Sequence, residues 1–103
     1  EDGGQFVSEI VGGAARPEPS VTIDSESAPH TTVFEVVAQD RAGLLHALAS
    51  AISRHGCNIE VVLVDTEAFK AIDVFHVTRN GAKLSRDEAE NVKTALLAAC
   101  TPA

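Results

Sequence analysis

Apolar residues follow a strand-like rhythm in four stretches of the chain and a helical rhythm in two. Runs rich in β-branched residues predict strands over residues 21–23, 31–39, 58–66 and 69–78. The first helical pattern follows the second strand and consists of Leu44, Leu45, Leu48, Ala49 and Ile52. Gly56 is expected just beyond its end. Ser85 and Glu88 match a capping box, which predicts a second helix with an apolar face at Ala89, Val92, Leu96 and Ala99.

The order strand, strand, helix, strand, strand, helix indicates the fold class. Without the first short strand it matches a ferredoxin-like two-layer α+β sandwich that lacks its last strand. We expect the strand at 21–23 to pair with the strand at 31–39 and to fill the vacant edge, giving a permuted four-stranded sheet. We interpret residues 1–19, with their glycines and prolines, as a linker or flexible tail, and residues 20–103 as one folded domain.

One face of the predicted sheet is unusually apolar for a surface in contact with water. Strict alternation along the strands assigns it Val33, Val37, Val62, Val64, Ile72 and Val74. This pattern favours burial against a second copy of the chain or a neighbouring domain. The alternative is that β-branched residues are simply favoured in strands, even in exposed ones.

Composition and charge exclude several classes of function. The net charge of −7 disfavours a nucleic-acid surface, which relies on clustered Lys and Arg. No apolar run approaches the roughly 20 residues that span a bilayer, so we expect no membrane partner. The absence of Met indicates a processed chain or, as we favour, a piece of a longer protein. Two isolated cysteines are typical of reduced thiols in a cytoplasmic protein.

The turn between the second strand and the first helix is the best candidate for chemistry. A short polar turn with a Gly, placed before a helix N-terminus, offers unpaired N–H groups to a small polar or anionic molecule. No catalytic motif is present, and the four histidines are scattered, so no catalytic residue, metal or cofactor is predicted. Asp65, Glu67 and Asp73 surround the predicted hairpin, where a solvated edge is favoured over a cation site.

Three motifs resemble the ACT domain family, a small-molecule-sensing regulatory module. Residues 40–45 read Asp-Arg-Ala-Gly-Leu-Leu, which is similar to the family's Asp-Arg-Pro-Gly-Leu-Leu pattern with Ala42 in place of Pro. Gly56-Cys57-Asn58-Ile59 resembles the Gly-x-Asn-Ile entry into a strand, and residues 73–77 resemble Asp-x-Phe-x-Val. Within the family, Val21-Thr22-Ile23-Asp24 before the first long strand makes the chain resemble most the C-terminal ACT repeat of bacterial PII uridylyltransferases, which sense glutamine. The Ala in place of Pro frees a backbone dihedral and is expected to loosen the pocket.

The resemblance implies a regulatory domain rather than an enzyme. Its effector would be an amino acid, glutamine in first place, and it would control an attached or partner catalytic domain such as a nucleotidyltransferase. The implied pairing is a homodimer or an intramolecular pair of ACT units. The alternative is an ACT-like oligomerisation or interaction module that has lost its ligand.

The same resemblance implies a set of ligand-binding residues: Asp40, Arg41, Ala42, Gly43, Leu44 and Asn58. The turn would offer backbone N–H groups to a carboxylate, and Asp40 would pair with an amino group. Gly43 would permit close backbone approach, so we expect Val at this position to crowd the turn. Other interpretations stay open: Asp40 as a helix cap, Arg41 as a solvated charge and Asn58 as a turn residue.

Overall fold

The computed structural model describes residues 18–101 of the chain. Its elements, in chain order, are β1 (Ser20–Asp24), β2 (Thr32–Gln39), α1 (Leu44–Arg54), β3 (Asn58–Glu67), β4 (Lys70–Thr78) and α2 (Arg86–Cys100). All but the last two residues of the expected linker over 1–19 lie outside the described residues. Neither helix in the described part is long and apolar enough to cross a membrane.

The four strands form one antiparallel sheet in the order β1-β2-β4-β3, with α1 and α2 packed against it. β1 pairs with β2 through Val21 opposite Val36 and occupies the edge that a last strand would otherwise fill. The predicted two-layer ferredoxin-like fold, permuted at its N-terminal edge, is therefore confirmed. The order also makes β4 a central strand and β3 an edge strand.

The core lies between the helices and one face of the sheet. Its fully buried members include Phe34, Phe75, Leu48, Ile52 and Leu96. The capping box forms as predicted: Glu88 N–H donates to Ser85 Oγ at 3.1 Å, and Ser85 N–H donates to Glu88 Oε1 at 2.8 Å.

Two residues of the predicted helix faces lie elsewhere than expected. On α2, Cys100 is buried and Ala99 only partly so, because the fourth core position falls four residues after Leu96 rather than three. On α1, Leu45 is 41% exposed.

The predicted distribution of β3 residues between the two faces is wrong beyond Ile59. A β-bulge shifts the register, since Ile59 lies opposite Val77 whereas Val61 lies opposite the next residue, His76. One extra residue inverts the alternation of every later side chain. Val62 and Val64 therefore lie on the helix side, opposite Phe75 and Asp73.

The open face of the sheet, turned away from the helices, consequently has a different composition. It contains Val61 and Leu63, which are 45% and 57% exposed, beside half-buried Val74. We call the apolar residues Val33, Val37, Val61, Leu63, Ile72 and Val74 the open face.

The connection between β3 and β4 is also displaced by one residue from its predicted position. Glu67 pairs with Lys70, so Ala68 and Phe69 form the turn. Ala68 adopts a positive φ of 56°, and Phe69 is 74% exposed at the hairpin tip. The tip is joined to the rest of the domain by its backbone, since Asp40 N–H donates to Phe69 C=O at 2.7 Å.

Candidate functional site

The turn between β2 and α1 is held in place by backbone hydrogen bonds. Asp40 N–H is engaged by the hairpin tip at Phe69, and Leu44 N–H donates to Arg41 C=O at 3.2 Å. Gly43 adopts a left-handed conformation with φ of 83°, which glycine reaches without strain. The turn therefore brings the N-terminus of α1 close to the end of the sheet at which β3 and β4 are connected.

The N-terminus of α1 has no side-chain cap. Gly43 is the N-cap residue, and no side chain accepts a hydrogen bond from the first turn. The interpretation of Asp40 as the helix cap is therefore wrong, because it lies three residues too early. Within residues 18–101, the backbone N–H groups of Leu45 and His46 have no hydrogen-bond partner. These donors and the helix dipole make a partial positive charge here.

A cavity of about 380 Å³ opens between this helix start and the β3–β4 edge of the sheet. We call it the turn cavity. Its walls combine the turn, the first turn of α1 and the helix side of the two strands, and consist of Asp40, Arg41, Gly43, Leu44, Leu45, His46, Val64, Thr66, Ala71 and Asp73. Its volume lies within the range of small-molecule sites, roughly 300–1,000 Å³.

Asp73 is the most unusual residue of the turn cavity. It is only 2% exposed, yet its Oδ1 has no hydrogen-bond partner in the described part of the chain. Burial raises the pKa of the Asp73 carboxyl above its usual range, and the negative charge of Asp40 raises that pKa further. Burying an ionised carboxylate without a partner costs free energy, so a cationic group bound beside Asp73 would stabilise its charged form.

Arg41 joins the turn to the end of α2. Its Nη2 donates to Ala99 C=O at 2.7 Å. Its Nε is buried and has no acceptor among residues 18–101. The interpretation of Arg41 as a solvated surface charge is therefore wrong, because the guanidinium is half-buried and satisfies a carbonyl in the last turn of α2.

The structure brings together four of the six residues that the sequence predicted for the site. Asp40, Arg41, Gly43 and Leu44 line the turn cavity, whereas Ala42 is adjacent in the chain but not part of the wall. Asn58 lies opposite Thr78 at the other end of β3. It is eight residues before Thr66, which is about 25 Å along an extended strand.

Three polar residues of the wall were not identified from the sequence: His46, Thr66 and Asp73. A signal for Asp73 existed, because it alternates with Phe75 and Val77 and so had to lie on the buried face of β4. Asp65 lies opposite Ile72, on the other side of the sheet from Asp73, so the three hairpin carboxylates do not converge. Residues 18–101 contain no group of side chains that could hold a metal ion.

Comparison with known proteins relates this turn and its strands to a described family. The family model described as ACT domain matches residues 32–94. The chain is 41% identical over 87 residues to the bifunctional uridylyltransferase/uridylyl-removing enzyme of Phenylobacterium zucineum (strain HLK1), covering 82% of this chain and 9% of that relative.

Enzymes of the same name from two other bacteria are about as similar. Identity is 40% over 83 residues for Caulobacter vibrioides (strain NA1000 / CB15N), covering 79% of this chain and 9% of the relative. Identity is 39% over 85 residues for Streptomyces coelicolor (strain ATCC BAA-471 / A3(2) / M145), covering 82% of this chain and 10% of the relative. The chain thus spans about a tenth of the length of these curated relatives.

Proposed function

The chain belongs to the ACT domain family, a regulatory ligand-binding kind of domain, and from this premise we propose that it binds a free α-amino acid in the turn cavity. Glutamine is the effector we favour. The observation that carries the proposal is the buried carboxyl group of Asp73, whose Oδ1 has no hydrogen-bond partner among residues 18–101 and which shares one cavity with the uncapped N-terminus of α1.

The two ends of the turn cavity have opposite electrostatic character. Asp73 and Asp40 supply negative charge, and the free N–H groups of Leu45 and His46 supply partial positive charge. An α-amino acid carries an ammonium and a carboxylate on one carbon, so it is complementary to both ends at once. The ammonium would pair with Asp73 and the carboxylate with the helix start.

The remaining wall favours a side chain that has both apolar and hydrogen-bonding parts. Leu45 and Val64 are exposed apolar side chains of this wall. Thr66 and His46 add a hydroxyl and an imidazole, which can exchange hydrogen bonds with a primary amide. Glutamine has two methylene groups and such an amide, and this match is why we place it first.

Regulation requires that the effector distinguish two states of a larger protein. We propose that this domain controls an attached catalytic domain, in keeping with relatives named bifunctional uridylyltransferase/uridylyl-removing enzymes. An effector shifts such an equilibrium only by its difference in affinity for the two states. Pairing of two ACT units through the open face would provide an arrangement that ligand binding can alter.

A ligand-free interaction module is the second candidate, and two observations favour it. Ala42 replaces the proline of the family pattern, and the open face exposes Val61 and Leu63. In that case the cavity would be a remnant, and only the pairing of domains would be retained.

Calorimetric titration of the chain with glutamine, glutamate, asparagine and serine distinguishes the two candidates. We expect saturable heat with glutamine at micromolar to millimolar concentration. In Asp73→Asn the ammonium loses its charged partner, so glutamine affinity should fall at least about tenfold, since hydrogen bonds to charged groups are worth about 1.5–3 kcal/mol.

Asp65→Asn is the matched control for this experiment. It makes the same chemical change on the opposite side of the sheet, at an exposed position outside the turn cavity. Its affinity for glutamine should equal that of the unmodified chain. Absence of heat from every amino acid on a folded chain would contradict the sensor and favour the module, and equal weakening by both variants would exclude Asp73 as the ammonium partner.

A further inference from the structure

A second cavity lies between α1 and the C-terminal end of α2, and it shares Arg41 and His46 with the wall of the turn cavity. It has a volume of about 440 Å³, and we call it the helix groove. His46, Ser50 and Arg54 form its wall on α1, and Ala99 and Thr101 border it at the end of α2. The three polar members of the α1 wall are four residues apart and form a single stripe along the helix, and Ala47 completes this wall.

The helix groove is cationic in a chain whose net charge is −7. Arg41 and Arg54 both line it, and no Asp or Glu among residues 18–101 does. α1 contains no Asp or Glu, and the three acidic residues of α2 end at Glu90. Glu90 is nine residues before Ala99, which corresponds to about 14 Å along the helix. Neither packed helix therefore offers a carboxylate to neutralise this charge.

Neither Arg41 nor Arg54 forms a salt bridge with a residue in the described part of the chain. The salt bridge found there joins Arg79 and Glu88, at the N-terminal end of α2. The Arg54 side chain is exposed and makes no hydrogen bond to any residue of 18–101. Arg41 offsets part of the partial negative charge of the α2 C-terminus through its hydrogen bond to Ala99 C=O.

We propose that the helix groove binds a phosphate group, either as free phosphate or carried by a nucleotide. Arg54 provides a planar guanidinium that matches the geometry of phosphate oxygens. Ser50 Oγ and His46 Nε2 are hydrogen-bonded at 3.5 Å, and in the tautomer in which Nε2–H donates to Oγ the Ser50 hydroxyl proton is left to donate to the anion. The room beyond these donors is sufficient for a larger molecule that carries the phosphate.

This site differs in chemistry from the turn cavity. In the described part of the chain the groove is lined by no Asp or Glu that could receive an ammonium, whereas the turn cavity contains Asp40 and Asp73. A zwitterionic amino acid is therefore matched to the turn cavity, and an anion without a cationic group is matched to the groove. Failure of one site leaves the other proposal unaffected.

Amide NMR of the ¹⁵N-labelled chain tests the proposal. Sodium phosphate is added at constant pH, and the concentration of sodium chloride is lowered at each step so that the ionic strength stays constant. We expect saturable shifts at Ser50 and Arg54. Arg54→Ser should weaken phosphate binding about tenfold, because one charge-assisted contact is lost.

Arg86→Ser is the matched control, since it removes the same charge from the first residue of α2, at the other end of that helix. This variant should leave the dissociation constant for phosphate unchanged. A parallel titration with ATP distinguishes the two sources: tighter binding than inorganic phosphate assigns the groove to a nucleotide, and equal binding assigns it to free phosphate. Shifts that do not saturate with either anion, or equal weakening by the two variants, would overturn the proposal.

Discussion

Gly43 has a left-handed backbone conformation, with φ of 83°, that residues with a side chain rarely adopt. The sequence suggested that a larger residue would crowd the turn, but a Cβ at this position meets no atom within 4 Å. The obstacle to substitution is therefore backbone strain, about 1–2 kcal/mol for an L residue in the left-handed region.

Gly43→Ala should destabilise the fold by about 1 kcal/mol and weaken glutamine binding, because relief of the strain displaces the start of α1. Gly81→Ala is the control, since Gly81 also has a positive φ of 78° and open space around it but lies far along the chain in another turn. Urea denaturation should give similar losses for both variants, and calorimetry should give weaker binding for Gly43→Ala alone. Unchanged glutamine affinity in Gly43→Ala would argue against a ligand at this turn.

Asp73 should make the stability of the domain decrease as the pH rises. Its folded-state pKa is raised by burial and by Asp40, so the folded chain holds this proton more tightly than the unfolded chain does. The stabilisation is complete below the ordinary aspartate pKa of about 3.9 and is lost as the pH rises through the raised value.

Asp73→Asn should therefore have a higher thermal midpoint than the unmodified chain at pH 7, and the difference should shrink towards pH 4. Thermal unfolding followed by circular dichroism at several pH values measures this difference. A variant that is more stable yet binds glutamine poorly would identify Asp73 as a residue kept for binding rather than for folding. If the difference in thermal midpoint did not change with pH, titration of the Asp73 carboxyl would not be its cause.

At the scale of elements, the capping box fixes where α2 begins. Ser85→Ala removes the acceptor for Glu88 N–H and should cost about 1 kcal/mol in the free energy of unfolding. The other hydrogen bond of the box, from Ser85 N–H to the Glu88 carboxylate, is the main cause that lowers the pKa of Glu88, so the stabilisation from that second bond is present at neutral pH and is lost in acid. Urea denaturation measures the change. Ser53→Ala, an exposed position on α1, should be nearly neutral, and equal stability of Ser85→Ala and the unmodified chain would refute the role of the cap.

The elements that sequence reasoning predicted well are those specified by local chemistry. Periodicity located both helices, Ser85 and Glu88 located the start of α2, and Gly56 adopts the positive φ expected just past α1. The order of elements then predicted the edge position of β1, because an unpaired central strand is unfavourable.

The errors arose where a non-local feature decides the outcome. The bulge in β3 depends on pairing with β4 and leaves the apolar run of β3 unchanged, so alternation alone assigned Val62 and Val64 to the wrong side. Likewise, the hydrogen bond from the Arg41 side chain to Ala99 C=O joins residues that are 58 positions apart in the sequence, and no local pattern indicates such a contact. The turn was predicted from its sequence, but the opposite wall of its cavity, with Asp73, was not.

At the scale of the whole molecule, the open face is the surface we expect to pair with a second ACT unit. Leu63→Lys places a charge on that face at a 57% exposed position, so it should abolish pairing without disturbing the core. Val62→Lys is the control, because the neighbouring side chain lies on the helix side of the same strand. Sedimentation velocity should show a dimer for the chain and for Val62→Lys, and a monomer for Leu63→Lys. A dimer that persists in Leu63→Lys would exclude this face.

Arg41 and His46 belong to the walls of both the turn cavity and the helix groove. Two compartments with common walls do not fill independently, because any occupant that repositions either side chain changes the other compartment as well. Thermodynamic linkage then imposes a symmetry: the factor by which one occupant alters the dissociation constant of the second must equal the factor in the reverse direction. If both proposed sites bind their ligands, a domain of this size compares two metabolites rather than reporting on one.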